Sequence, residues 1–219
     1  MTLDFLDAVL KKLQLKKWAG TVDIGWNNEP MLDWDSLRMG VRKIREAFPS
    51  AFVRMYSNGF GLTQEKLNEL MALGLSYFFI TLHENDEKRR QLILSWVPAK
   101  DQTRIRVTLF QEIAILNASG HAVEGAPPSN EKFCVMQFAP VIRLNGDITL
   151  CCCDYYSETV LGNILRDDFW QVWRKSWWQR VRIMFGSKAA KACHACYNMT
   201  RTPLRKPAPK QPAATASAA

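Results

Sequence analysis

The sequence predicts an α/β fold in two parts: a run of βα units over the first 110 residues, then a small module of β-hairpin plus helix. Three observations carry this. Helical and strand-like apolar patterns alternate from residue 3 to residue 110. A Gly/Pro/polar stretch, GHAVEGAPPSNEK, interrupts them near residue 120. All six cysteines lie at position 134 or later.

Residues 3–18 place Leu3, Leu6, Val9, Leu10 and Leu13 at helical spacing, and Gly20 ends that helix. TVDIGW then reads as a short buried strand. A second helix spans 35–48, with Leu37, Val41, Ile44 and Phe48 on one face, Asp33 or Asp35 as N-cap and Pro49 as its stop. AFVRMYSNG is the next strand, closed by an Asn-Gly turn. A third helix opens at Thr63 and ends at Gly74. LSYFFITLHE is a strand rich in aromatic and β-branched residues, residues 86–95 are helical, and TRIRVTLF is a further strand.

Alternation of this kind gives a parallel sheet, and parallel sheets bind ligands at the carboxyl ends of their strands. The segments expected there are WNNEP (26–30), YSNG (56–59), TLHE (81–84) and LFQE (109–112). They are polar for strand ends and are read as the lip of a pocket. His83 and Glu84 alternate in direction, so only one faces the pocket, as a polar wall.

The domain boundaries are set at 1–120 for the α/β part, 121–130 for a linker, 131–201 for the cysteine module and 202–219 for a disordered Pro/Ala-rich tail. The chain has 219 residues, 47% of them hydrophobic, which excludes global disorder. No apolar run approaches the length of a membrane span, and the N-terminus lacks a signal-peptide pattern. A cytoplasmic location is the expectation, and there cysteines act as metal ligands or buried thiols. The net charge of +8 is read as a solvated basic surface plus a basic tail.

Cys193 and Cys196 form C-x-x-C, which brings two thiolates onto one metal or cluster from a single turn. Cys134 and Cys151 flank an Asn145-Gly146-Asp147 hairpin turn. The candidate metal ligands are therefore Cys134, Cys151, Cys193 and Cys196. Spacing alone leaves zinc and iron–sulfur open. Taken as extended, Cys151-Cys152-Cys153 places Cys151 and Cys153 on one face and Cys152 on the other, so the triplet cannot ligate one site as a set. Trp170, Trp173, Trp177 and Trp178 lie among Arg174, Arg180 and Arg182; this is read as one long helix whose Phe169/Trp173/Trp177/Val181 stripe packs on its own module rather than as a nucleic-acid platform.

The module resembles the SPASM domain, the auxiliary iron–sulfur unit of radical S-adenosylmethionine (radical SAM) enzymes. Gly146, Cys151, Cys152, Asp154, Leu161, Gly162, Asn163, Trp173 and Arg180 fall in the family order, followed by the paired cysteines. The resemblance implies one auxiliary [4Fe-4S] cluster and Cys151 as the ligand of the triplet. GWNNEPMLDWDSL resembles the Gly-Gly-Glu-Pro segment of a radical SAM barrel, with Asn27-Asn28 in place of the glycines. YSNG resembles the Thr-Asn-Gly turn of the following strand. The cofactor-binding residues so implied are Asn27, Asn28, Glu29, Pro30, Ser57, Asn58 and His83, facing S-adenosyl-L-methionine in the complete family enzyme.

One departure matters. Family members hold their cofactor-cleaving cluster with Cys-x3-Cys-x2-Cys after the first strand, and residues 1–133 contain no cysteine. The α/β part is thus expected to be a partial barrel. Either the chain is a fragment of a catalytic parent or it is a truncated relative that lost the chemistry; Glu29-Pro30 and Ser57-Asn58-Gly59 favour the fragment. The function implied is that of a peptide- or protein-modifying radical enzyme in complete form, with an external electron donor, no membrane and no nucleic acid. The competing readings are a non-catalytic single-cluster electron-transfer or peptide-binding protein and a zinc-binding nucleic-acid adaptor.

Overall fold

The computed structural model describes residues 2–13, 20–25, 28–112, 138–152, 154 and 156–185. The linker, the tail, Asn27, Cys134, Cys153, Cys193 and Cys196 lie outside the described residues.

Four parallel strands, β1 (Thr21–Ile24), β2 (Phe52–Ser57), β3 (Tyr77–Leu82) and β4 (Ile105–Leu109), pair in the order β1-β2-β3-β4. Helices α2 (Trp34–Ala47), α3 (Gln64–Ala72) and α4 (Glu87–Ser95) connect them, preceded by α1 (Leu3–Leu13). Each crossover helix begins as the side-chain chemistry dictates. Asp33, Thr63 and Asp86 accept hydrogen bonds from the amides of Ser36, Lys66 and Arg89 and so cap α2, α3 and α4. Of the two aspartates expected to cap α2, Asp33 does so.

The main core lies between the sheet and its helices. Val53, Met55, Phe78, Ile80 and Leu82 from the strands meet Val41, Ile44, Leu67, Leu70 and Ile93 from the helices. The opposite face of the sheet is polar and aromatic. The register aligns Asp23, Arg54 and Tyr77 in one row, and Tyr56, Phe79 and Arg106 in the next. A parallel strand covered on both faces is usually a near-continuous apolar run, so this alternation marks a face that is not packed as an apolar core.

The second part is a three-stranded antiparallel sheet, β5 (Val141–Ile142), β6 (Asp147–Thr149) and β7 (Val160–Asn163), followed by α5 (Phe169–Lys175) and α6 (Trp177–Met184). The expected hairpin is present, with Val141 opposite Thr149 and Ile142 opposite Ile148. Strand β7 was not expected; VLGN reads as a motif in the sequence but here completes the sheet.

The single long helix expected over the tryptophans is instead two. Ser176 breaks it because the Trp173 carbonyl is taken by side chains: Ser176 Oγ donates to it at 3.0 Å and Arg180 Nη2 at 2.6 Å. The break also overturns the packed stripe. Phe169 is buried, whereas Trp177 is 48% exposed.

Helix α1 joins the two parts. Leu6 packs into the sheet-and-helix core, while Val9 packs with Ile148, Ile164 and Phe169 of the second part. No helix among the described residues is long and apolar enough to cross a membrane.

Candidate functional site

The carboxyl ends of the strands form a laced lip, and Glu29 is its centre. Its Oε1 accepts from the Met31 amide at 2.8 Å and from Ser57 Oγ at 2.7 Å, and its Oε2 accepts from the Asn58 amide at 2.6 Å. Ser57 Oγ in turn accepts from the Gly59 amide at 2.9 Å. One carboxylate thus ties the loop after β1 to the turn after β2. Two glycines allow the approach. Gly25 has φ +91°, and a Cβ there would stand 2.2 Å from the Tyr56 carbonyl oxygen. Gly59 has φ +75° and packs against Ile80 and Leu82.

The other strand ends continue the lip. Arg89 Nη2 donates to the Gly59 carbonyl at 2.7 Å, bringing the start of α4 over the β2 turn. Asn85, at φ +54°, accepts from the Gln111 amide at 2.9 Å and joins the ends of β3 and β4. Glu112 accepts from the Leu109 amide and pairs with Arg90; these bonds, the amide first, hold its carboxyl below the usual range.

The structure thus brings Glu29, Pro30, Ser57 and Asn58 together. Asn28 is exposed beside them. His83 lies on the same rim, exposed and edge-on to Phe110 at 5.2 Å between ring centroids. Glu84 is exposed as well, so neither member of that pair turns into a pocket wall by alternation. The chain leaves β3 at Leu82, and the rule of opposite faces no longer applies beyond it. A carboxylate offers about four acceptor positions, and three of those on Glu29 are taken by the protein.

Below the lip lies the polar sheet face, which sequence reasoning missed. Arg54 makes a two-pronged ion pair with Asp23, at 2.6 and 2.7 Å. Arg106 lies over Phe79 at 5.4 Å, and Tyr56 stands 5.8 Å from Phe79. Burial raises the Tyr56 pKa, with the Asp23 carboxylate adding to the shift and Arg54 opposing it. The signal was in the sequence: Arg54 and Tyr56 alternate with Val53 and Met55 in what should otherwise be an apolar strand.

The cysteine loop is organised by polar latches. Asp154 is fully buried, and its carboxylate accepts from the amides of Glu158 and Thr159, both at 2.8 Å. Arg143 donates to its carbonyl oxygen. Asn163 binds the Asn145 carbonyl and the Asp147 carboxylate at 3.0 Å each, which anchors the hairpin turn. At Gly146, φ +88°, a Cβ would meet the Asn163 amide at 2.8 Å. A Cβ on Gly162 would meet Val172 at 2.8 Å, so that glycine lets α5 lie on β7. The motif residues Gly146, Asp154, Gly162 and Asn163 therefore shape the loop.

Cys151 and Cys152 are both buried. The chain leaves β6 at Thr149, and Cys151 and Cys152 lie in a turn rather than a strand, with the Asp154 amide reaching back to the Cys151 carbonyl. The opposite-faces rule, which holds only for an extended segment, does not apply to Cys151 and Cys152. Two adjacent buried thiols in a rigid turn suit a soft metal centre such as an iron–sulfur cluster.

Comparison with known proteins agrees with this arrangement. Residues 134–197 match the SPASM family, an iron–sulfur cluster-binding domain. Cys134 opens the matched segment, and Cys193 and Cys196 lie near its end. An S-adenosyl-L-methionine-dependent 2-deoxy-scyllo-inosamine dehydrogenase of Niallia circulans is 22% identical over 197 residues, covering 88% of this chain and 78% of that protein. The crystal structure of BtrN in complex with AdoMet and 2-DOIA superposes with a TM-score of 0.80 at 22% identity, covering 90% of this chain and 80% of that one. Selenomethionine BtrN in an open conformation gives a TM-score of 0.64 at 21% identity, over 88% and 79% of the two chains. The α/β fold expected from the sequence is thus the fold observed, and residues 134–197 match the SPASM iron–sulfur cluster-binding domain.

Proposed function

We propose that the chain is a radical SAM/SPASM-type oxidoreductase component that holds one auxiliary [4Fe-4S] cluster with Cys134, Cys151, Cys193 and Cys196. Its lip, built from Asn27, Asn28, Glu29, Pro30, Ser57, Asn58 and His83, receives S-adenosyl-L-methionine. The observation that carries this reading is the Glu29 latch standing at the strand ends of a chain whose cysteine loop matches an iron–sulfur domain.

The chain's own residues bind and orient. Glu29 fixes the two loops that border the methionyl end, and one acceptor position on it remains for an ammonium donor. The aromatic and charged sheet face below, Asp23, Arg54, Tyr56, Phe79 and Arg106, lines the space for substrate. Paired ions beside aromatic faces suit a polyhydroxylated ring, with the ion pair addressing hydroxyls and the rings covering C–H surface. When bound, the auxiliary cluster supplies a one-electron site beside that space.

The dehydrogenase named among the relatives favours oxidation of a small hydroxylated substrate. It stands against the peptide- or protein-modifying reading, which remains the alternative, as does a non-catalytic electron-transfer role. Residues 1–133 supply no thiolate for a cofactor-cleaving cluster. Reductive cleavage of the cofactor therefore needs ligands that these residues do not provide.

Anaerobic reconstitution with iron and sulfide analysis tests the cluster. About four irons per chain are expected, and Cys151→Ala lowers that to near zero. Zinc without iron would sink the proposal. Equilibrium dialysis with labelled S-adenosyl-L-methionine tests the lip, and retention by the wild type but not by Glu29→Gln is the supporting result.

A further inference from the structure

Arg143 carries a donor that the cysteine loop does not use. Its backbone is fixed at the hairpin: its amide donates to the Asp147 carbonyl at 2.8 Å, and its carbonyl accepts from the Gly146 amide at 2.9 Å. Its side chain crosses to the cysteine turn, where Nη2 donates to the Asp154 carbonyl. The Asp154 amide in turn donates to the Cys151 carbonyl at 3.3 Å. Guanidinium, Asp154 and Cys151 are thus joined in series, and Cys151 and Cys152 lie buried in that turn.

The Nε of Arg143 is buried and has no hydrogen-bond acceptor. A guanidinium N–H shut away from water without an acceptor is costly, and in a folded protein it marks the place of a missing acceptor or ion. Arg90 provides the contrast. Its Nε also lacks a hydrogen bond, but the Glu87 carboxylate stands 3.2 Å away and Glu112 pairs with the same guanidinium. Arg143 makes no ion pair among the described residues. The Asp154 carboxylate is turned instead to the amides of Glu158 and Thr159. What Arg143 lacks is an anionic acceptor next to the turn that holds Cys151. The sulfurs of a thiolate-held iron–sulfur cluster are acceptors of that kind, and the cluster becomes more negative on reduction.

We propose that Arg143 donates its Nε–H to a sulfur of the auxiliary cluster and so raises the reduction potential of that cluster. A donor and a positive charge both favour the state that carries the additional electron. Reduction adds one electron to the cluster and neither makes nor breaks a bond at Arg143, which stays protonated throughout. Arg143 tunes the cluster without ligating it. This inference rests on the four-cysteine cluster proposed above.

The test is a redox titration of the anaerobically reconstituted full chain, with dithionite as the reductant and electron paramagnetic resonance of the reduced cluster as the readout. Arg143→Leu removes both the donor and the charge. Arg143→Lys keeps the charge and a donor for the Asp154 carbonyl but has no Nε–H. Arg166→Gln is the control, since it removes an exposed charge from the same module. At the wild-type midpoint potential, Arg143→Leu is expected to lower the ratio of reduced to oxidised cluster about tenfold, a shift of about 59 mV for a one-electron couple. Arg143→Lys is expected to lower it about threefold, and Arg166→Gln to leave it unchanged.

Iron and sulfide content, measured on every sample, separates the possible failures. A wild type without iron refutes the cluster and this inference with it. Iron-loaded Arg143 variants at the wild-type potential refute this inference and leave the cluster standing. Loss of iron from both Arg143 variants would show that the side chain only holds the turn, and an equal shift in Arg166→Gln would show an effect of net charge alone. Either result would overturn the proposal.

Discussion

The two parts of the molecule are held together by different means. Among the described residues, the sheet-and-helix part has a contiguous core of twenty buried apolar residues, with polar contacts outside it at the lip, at the ends of elements and at the Asp23–Arg54 pair on the other sheet face. The cysteine module has small apolar clusters, one of Val9, Ile148, Ile164 and Phe169 and one of Leu150 and Ile183, with Val9 lent by α1. Its shape depends on buried polar groups: Asp154, Asn163 and Arg180 are each under 10% exposed. A small domain cannot bury enough apolar surface to specify a loop, so directional bonds do so instead.

This difference can be tested from the largest effect downward. Phe78→Ala, at a fully buried site in the large core, is expected to cost about 3–5 kcal/mol in urea unfolding. The sheet part should weaken first, so equal loss in both parts would show that α1 couples them into one cooperative unit.

Asp154→Ala leaves two backbone amides and the loop without their acceptor, for roughly 2–4 kcal/mol. The loss should appear as failure to retain iron, with sheet-part melting unchanged. Retention of iron would show that the cysteine turn is set by the metal rather than by the latch.

Glu29→Gln places an amide donor against other donors at the lip, at a cost of about 1–3 kcal/mol. Here the effect should fall on S-adenosyl-L-methionine retention, together with a fall of several degrees in melting temperature, on the order of 2–4 °C per kcal/mol.

The smallest effect concerns Tyr56. Its pKa is raised in the folded state, so the folded protein holds the phenol proton more tightly than the unfolded chain. That contribution is fully present below the ordinary phenol pKa of about 10 and is lost as pH rises through the folded value. Ultraviolet titration should show one tyrosine ionising late, and Tyr56→Phe should remove it along with part of the decline in stability above pH of about 10.

Much of the fold was legible in residue order. The helix faces of α2 and α3, the caps Asp33 and Thr63, the four strands and the Asn145-Gly146 turn all follow from local periodicity and turn chemistry. The meeting of Glu29 with Ser57 and Asn58 was legible only through the resemblance to a known motif. Local rules failed where distant groups intervene. Cys151 and Cys152 would alternate if extended, yet they lie in a turn closed by the Asp154 amide on the Cys151 carbonyl. The tryptophan helix should run unbroken, yet Arg180 takes the Trp173 carbonyl from the turn before it.

The sequence by itself determined which segments are helix or strand, where the cysteines cluster and which loops carry polar residues, because these depend on neighbours a few positions apart. Only the tertiary structure decided that one carboxylate joins two loops, that α1 belongs to both parts, and that Arg54, Tyr56 and Arg106 share a face. Those facts depend on parallel register and on side chains 28 or more residues apart, such as Ser57 and Glu29, and no local period records such a separation.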